Sequence, residues 1–269
     1  MNHRLAGHRH SRGSFVRHAK GLAGGVLVAT VCCLGTSAAP AHAQLSETVR
    51  NDPDTQANSA AIRAFIDEQV ADLADPATVS DARRKLIDEL GRGPSDAFLR
   101  AYAATIAGPL RTALSGNDKL VAVNAAIVLD AVAARTLSGD LLEPTLVAVR
   151  SDNQAIAVHG IRAAEGVLPA LVSVNVRQPD GVTLIDELIA AADRFVDEPA
   201  MLAEVHKSLQ VGIVSGPSLL NGDRNLKAGI PLLVDGVLQL LEKRIPMYVD
   251  AVPATTDPEL NAALFLTDK

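Results

Sequence analysis

Asn117-Asp118-Lys119-Leu120-Val121-Ala122-Val123-Asn124-Ala125-Ala126 and Asp152-Asn153-Gln154-Ala155-Ile156-Ala157-Val158-His159-Gly160-Ile161 follow one pattern. They are offset by about 35 residues, inside the window of periods that marks stacked supersecondary units. Each stretch begins with a polar turn and runs into a segment of Ala, Val and Ile. An acid then follows at the same distance, Asp130 in the first and Glu165 in the second. Small apolar residues that do not alternate with polar ones describe a helix with a broad buried face. A unit of this kind buries that face only by stacking on its neighbours.

The same spacing extends in both directions. Ile62, Phe65, Ile66, Val70 and Leu73 line one face over residues 61–73, and Val79, Leu86, Ile87 and Leu90 do so over 79–90. Gly91-Arg92-Gly93-Pro94 stops that second helix, and Ser95 or Asp96 can cap the next. That helix, over about residues 97–114, contains Gly108-Pro109, where the missing backbone donor predicts a kink. Further helices are expected over 119–134, 141–149, 153–172, 184–195, 199–214, 225–244 and 258–266. Ser-Gly, Asn-Asp and Pro-Asp-Gly turn signals separate them. Strand signals are weak, and Leu171–Val176 is the best of them.

Over residues 98–172 the pattern resembles HEAT and armadillo-type repeats, in which an Asp/Asn turn leads into a small-apolar second helix. The resemblance implies an all-α fold, an α-α superhelix of stacked helical hairpins. The chain departs from it where Asn124 and His159 stand in place of the arginine usual in the second HEAT helix.

The first 43 residues read as an export signal. Arg4, Arg9, Arg12, Arg17 and Lys20 make the beginning basic, an uncharged run follows from Gly21 to Ala39, and Ala41-His42-Ala43 places small residues where a signal peptidase reads. The alternative is a retained anchor, because the run approaches the length of a spanning helix. Its glycines and its Ala-x-Ala ending favour cleavage. Val31 before Cys32 does not suit a lipoprotein, and Arg12-Gly13 is not a twin-arginine pair, which leaves general secretion to the periplasm or beyond. The expected organisation is a signal peptide over 1–43, a flexible lead-in over 44–55 and a helical-repeat domain over 56–269.

Cleavage would remove both cysteines, Cys32 and Cys33, and all histidines except His159 and His206. It takes basic residues and no acidic ones, moving the formal charge from −6 to about −11. That charge favours solubility and disfavours nucleic acid or an anionic membrane face. Tryptophan is absent from the chain, which counts against carbohydrate platforms and base-stacking surfaces.

The residue types that carry chemistry do not assemble into a known constellation. His159 reads as a buried polar residue bonded to a neighbouring turn, and His206 as a surface helix residue without His-Glu-x-x-His spacing. Asp186, Glu187, Asp193, Asp197 and Glu198 are dense enough to attract a hard cation, but read first as a solvated face. Asn221, Asp223 and Asn225 begin like a calcium loop, yet Leu226 and Leu232 stand where Gly and Glu are required. Gly212-Ile213-Val214-Ser215-Gly216 has its serine one place late for a nucleophile elbow. Gly91-Arg92-Gly93 lacks the third glycine of a phosphate loop. Arg83, Arg84 and Lys85 form a basic cluster suited to an acidic partner, or a solvated helix face.

These readings assign no catalytic, cofactor-binding or metal-binding residue. They lead to an exported, non-catalytic scaffold that binds another protein in the cell envelope, without nucleic acid, cofactor or membrane insertion. The alternative is a carboxylate-dependent α-helical hydrolase or lyase in which Asp130 and Glu165, at equivalent repeat positions, lie on a common surface. A purely structural envelope protein is a third reading.

Overall fold

Ser46, Ser95, Asp118 and Asn153 each accept a hydrogen bond from a backbone N–H two or three residues ahead, so four helices begin on a side-chain cap. The computed structural model describes residues 44–52, 55–91, 93–214, 229–248 and 257–267, all within the unit His42–Lys269. The leader, Asn221, Asp223 and Asn225, and Ser215-Gly216 lie outside the described residues.

Among the described residues the chain is all-helical, with no strand. The helices are α1 (Glu47–Asn51), α2 (Thr55–Asp72), α3 (Val79–Asp88), α4 (Asp96–Ser115), α5 (Lys119–Thr136), α6 (Leu142–Val149), α7 (Gln154–Val172), α8 (Gln178–Arg194), α9 (Pro199–Val214), α10 (Ile230–Arg244) and α11 (Asp257–Thr267). Short 3₁₀ turns precede α6 and α8 and follow α10.

The helices pack in two rows. In one, α2, α4, α6, α8 and α10 touch in succession; in the other, α3, α5, α7, α9 and α11 do. Each helix of the first row also pairs with the next helix in sequence, giving consecutive αα-hairpins whose apolar faces meet between the rows. Ile62 and Ile66 of α2, Leu86 of α3, Phe98 and Tyr102 of α4, Leu129 of α5 and Ile161 and Leu168 of α7 are fully buried there. Each such side chain contributes about 1.5–3 kcal/mol by leaving water. The Phe98 and Tyr102 rings lie 5.5 Å apart, and the Tyr102 hydroxyl donates to the Leu86 carbonyl at 2.8 Å, which satisfies its only polar atom.

Helix α7 touches α5, α6, α8 and α9. It is long and apolar enough to cross a membrane by length and composition, but most of it is buried inside the array. Two glycines let it come so close. A Cβ on Gly160 would lie 2.6 Å from the Val149 nitrogen, and one on Gly166 would collide with the Ala133 carbonyl oxygen. Gly160 thus rests on the backbone of α6, its partner in the hairpin, and Gly166 on the backbone of α5 in the hairpin before.

Three segments differ from the sequence expectation. The lead-in over 44–55 contains α1, and it is fastened. The Leu45 N–H donates to Glu89 Oε1 at 3.1 Å, the Arg50 side chain lies 3.6 Å from the same carboxylate, and the Ser95 N–H donates to the Arg50 carbonyl at 3.0 Å. Helix α8 starts at Gln178 rather than Leu184, because Pro179 suits a first helical position as well as a turn. The β-branched run Leu171–Val176 ends α7 and enters the 3₁₀ turn Asn175–Arg177.

Gly166→Ala places a methyl against the α5 backbone, where neither partner is a flexible side chain. Urea unfolding is expected to show a loss of about 2–3 kcal/mol, despite alanine's better helix propensity.

Candidate functional site

Polar side chains cross from helix to helix along the α3–α5–α7–α9 row. Arg83 of α3 donates to Asn124 Oδ1 of α5 at 3.1 Å, and the Asn124 amide in turn donates to the Leu120 carbonyl at 2.8 Å. Asp130 of α5 meets His159 Nδ1 of α7 at 2.9 Å, an ion pair when the imidazole is protonated. Glu165 of α7 meets Lys207 of α9 at 2.9 Å. The offset that equates Asn124 with His159 and Asp130 with Glu165 places a late-turn acid of one helix against a base of the next, twice in succession.

Between α7 and α9 the row thickens. Arg162 donates to Glu204 Oε1 through Nε at 3.0 Å and Nη2 at 2.6 Å, and Lys207 also approaches Glu204 at 3.9 Å. Burial pushes the Glu165 carboxyl above its ordinary value; Lys207 opposes that shift, while Glu204 and Asp130 reinforce it. The hydrogen bond from Lys207 to Glu165 raises the lysine in turn, and the Arg162–Glu204 hydrogen bond raises the guanidinium. Asp130 and Glu165 thus share one surface, as their repeat positions imply, and each is partly covered and paired. The arrangement can bind a polar chain, and Glu165 can hold a proton more readily than an ordinary glutamate.

The remaining candidates disperse. Arg84 and Lys85 both turn back to Asp81 on their own helix, whose carboxyl falls to about 2 mainly through the hydrogen bond to Lys85. With Arg83 committed to Asn124, the basic cluster is not a free cationic patch. In the acidic run, Glu187 pairs with Arg150 and Asp193 with Lys243, while Asp186, Asp197 and Glu198 are exposed. Gly212–Val214 belong to α9, and Gly93, at φ +67°, serves the turn after α3. Among the described residues no three His, Cys, Asp or Glu side chains gather as metal ligands.

His206 is a correction. It was expected on the surface, and it is 3% exposed with neither ring nitrogen hydrogen-bonded among the described residues. Helix α9 packs against both α10 and α11, and the last hairpin covers a ring that the local pattern Glu204-Val205-His206-Lys207 places among charges. His159 also differs in detail, since its partner is a carboxylate on the adjacent helix and not a turn.

Sequence reasoning passed over Arg162 and read Glu204 and Lys207 only as neighbours of His206. A signal was present: Arg162 and Glu165 on one helix, and Glu204 and Lys207 on the next of the row, have the same three-residue spacing with opposite order of sign. No protein-family model, curated protein or solved structure matches this chain.

Lys207→Met leaves Glu165 partly buried without its cation. A carboxyl raised above its unfolded value supports folding below that value and withdraws support as pH rises through the folded one. The variant is therefore expected to lose about 1 kcal/mol at about pH 7 and less at about pH 4, read by urea unfolding at both.

Proposed function

We propose that the mature chain is an exported helical-repeat module, an α-α superhelix of the HEAT type, that binds another protein along the α3–α5–α7–α9 row. One observation carries this reading. An acid-to-base contact to the next helix of the row recurs from acids 35 residues apart, Asp130 to His159 and then Glu165 to Lys207. Stacked units of this kind present a continuous surface, and such surfaces serve binding. The basic leader and its Ala-x-Ala ending support export, and the acidic balance of the remainder supports a soluble protein of the envelope.

Glu165 favours a second reading, a carboxylate-dependent hydrolase or lyase. Its raised pKa beside Asp130 and Glu204 is what a general acid requires. Against it, Lys207 occupies the Glu165 carboxylate and Arg162 occupies Glu204, so the acids are engaged structurally before any substrate arrives.

The test uses residues 44–269, captured against an extract of the source cell envelope and identified by mass spectrometry. The expected outcome is one stoichiometric protein partner whose binding falls at least about tenfold, roughly 1.4 kcal/mol, on Arg162→Glu with Lys207→Glu, with helical circular dichroism retained. A hydrolytic or lyase activity abolished by Glu165→Gln, with no partner captured, would replace the scaffold reading with the enzyme.

A further inference from the structure

His206 is the one histidine in the described structure that is shut away from water, at 3% exposure. Its ring carries a donor and an acceptor with no hydrogen-bond partner among the described residues. An unpartnered buried polar group is costly, and a buried unpartnered charge is far more so. The ring therefore suits the neutral state only.

Its charged neighbours only partly offset that preference. Arg244 near the end of α10 and Glu259 in the first turn of α11 are both nearly inaccessible, and the guanidinium Nε donates to Glu259 Oε1 at 3.2 Å. This pair joins the last two helices beside His206. A proton on the ring would put a second cation next to Arg244, inside the interface that holds α11 to α9. Glu259 attracts that proton more than Arg244 repels it, so the penalty comes from burying the charge.

Other charges point elsewhere. Arg162 and Glu165 of α7 engage Glu204 and Lys207 along the polar row. From α8, Arg194 donates to the Val149 carbonyl and stands over the Phe195 ring, and Asp193 pairs with Lys243. Arg244 and Glu259 are the charged groups that act on His206.

We propose that His206 is a pH-operated latch: protonation in mildly acidic surroundings releases α11 from α9 while the α3–α5–α7 part of the array stays folded. The sign follows from the environment. Burial lowers the imidazole below its ordinary 6.5, Glu259 pulls it part of the way back, and Arg244 adds a smaller lowering. The neutral ring's contribution is complete above the unfolded value and is lost as pH falls from there through the folded value. The affected window opens at 6.5, about two units above the midpoints of ordinary carboxylates. The latch stands independently of the scaffold reading, because it requires only the α9–α11 junction.

Hydrogen exchange with mass spectrometry on the purified full chain, at about pH 7.5 and about pH 5 and corrected for intrinsic rates, tests it. Protection of α11 amides is expected to fall by up to about thirtyfold, the limit that an ordinary value of 6.5 sets at about pH 5, while α5 amides hold their protection. His206→Leu and His206→Gln should each remove the difference. Unchanged α11 protection, equal loss in α5, or persistence of the loss in either folded variant overturns the latch. Should neither variant fold, the histidine proton titration of the wild-type chain decides. A His206 midpoint below 6.5, with α11 resonances moving in step, upholds the latch, and a midpoint at or above that value overturns it.

Discussion

The approach of α7 to the backbones of α5 and α6 sets the geometry on which the rest of the array depends. Gly160 and Gly166 remove the side chains that would hold these helices apart, and Ala133 and Ala148 supply the small opposing surfaces. Each helical glycine costs about 1 kcal/mol in propensity relative to alanine. Close packing across four neighbouring helices offsets that cost. Once the spacing is fixed by backbone contact, a short aspartate can reach a histidine on the next helix, and the Asp130–His159 bond forms at 2.9 Å. The polar row thus inherits its register from the glycines underneath it.

Much of this was legible in the chain itself. Helical periodicity and polar turns place α3 to α7 and α9 close to their observed bounds, because capping and apolar spacing are local properties. What escaped depends on distant packing. His206 sits in a charged tetrapeptide, and its burial depends on the packing of α9 against other helices, the following hairpin of α10 and α11 among them. Glu89 likewise reads as the polar end of a helix, yet Leu45 and Arg50 close over it. Pro179 was ambiguous in principle, because its fixed φ serves a turn and a helix start equally.

Both ends of the described array carry a buried Arg–Glu contact. Arg50 meets Glu89 where α1 covers the first hairpin, and Arg244 meets Glu259 within the last. Desolvating such pairs consumes much of their attraction, so they add little net stability compared with apolar packing. Losing one member is another matter, because it strands the other charge in a poorly hydrated site. The terminal elements therefore have few acceptable alternative positions. In a stack whose units touch only their neighbours, that constraint matters most at the ends, where one neighbour is missing.

The polar row between those ends is close to self-neutral: Arg162 and Lys207 pair with Glu204 and Glu165, Asp130 meets His159, and Arg83 is engaged by Asn124. General electrostatic attraction cannot select a partner for such a surface. A chain docking there must supply charges that replace the internal pairs in register, since any pair opened without replacement costs the desolvation of both groups. Complementarity of this kind contributes more to discrimination than to affinity. It also argues against free carboxylate chemistry on the same residues, because an acid held by lysine or arginine has spent the interaction a substrate would need. Should the row bind a chain as proposed, its selectivity would come from register, with the glycine-set helix spacing as its ruler.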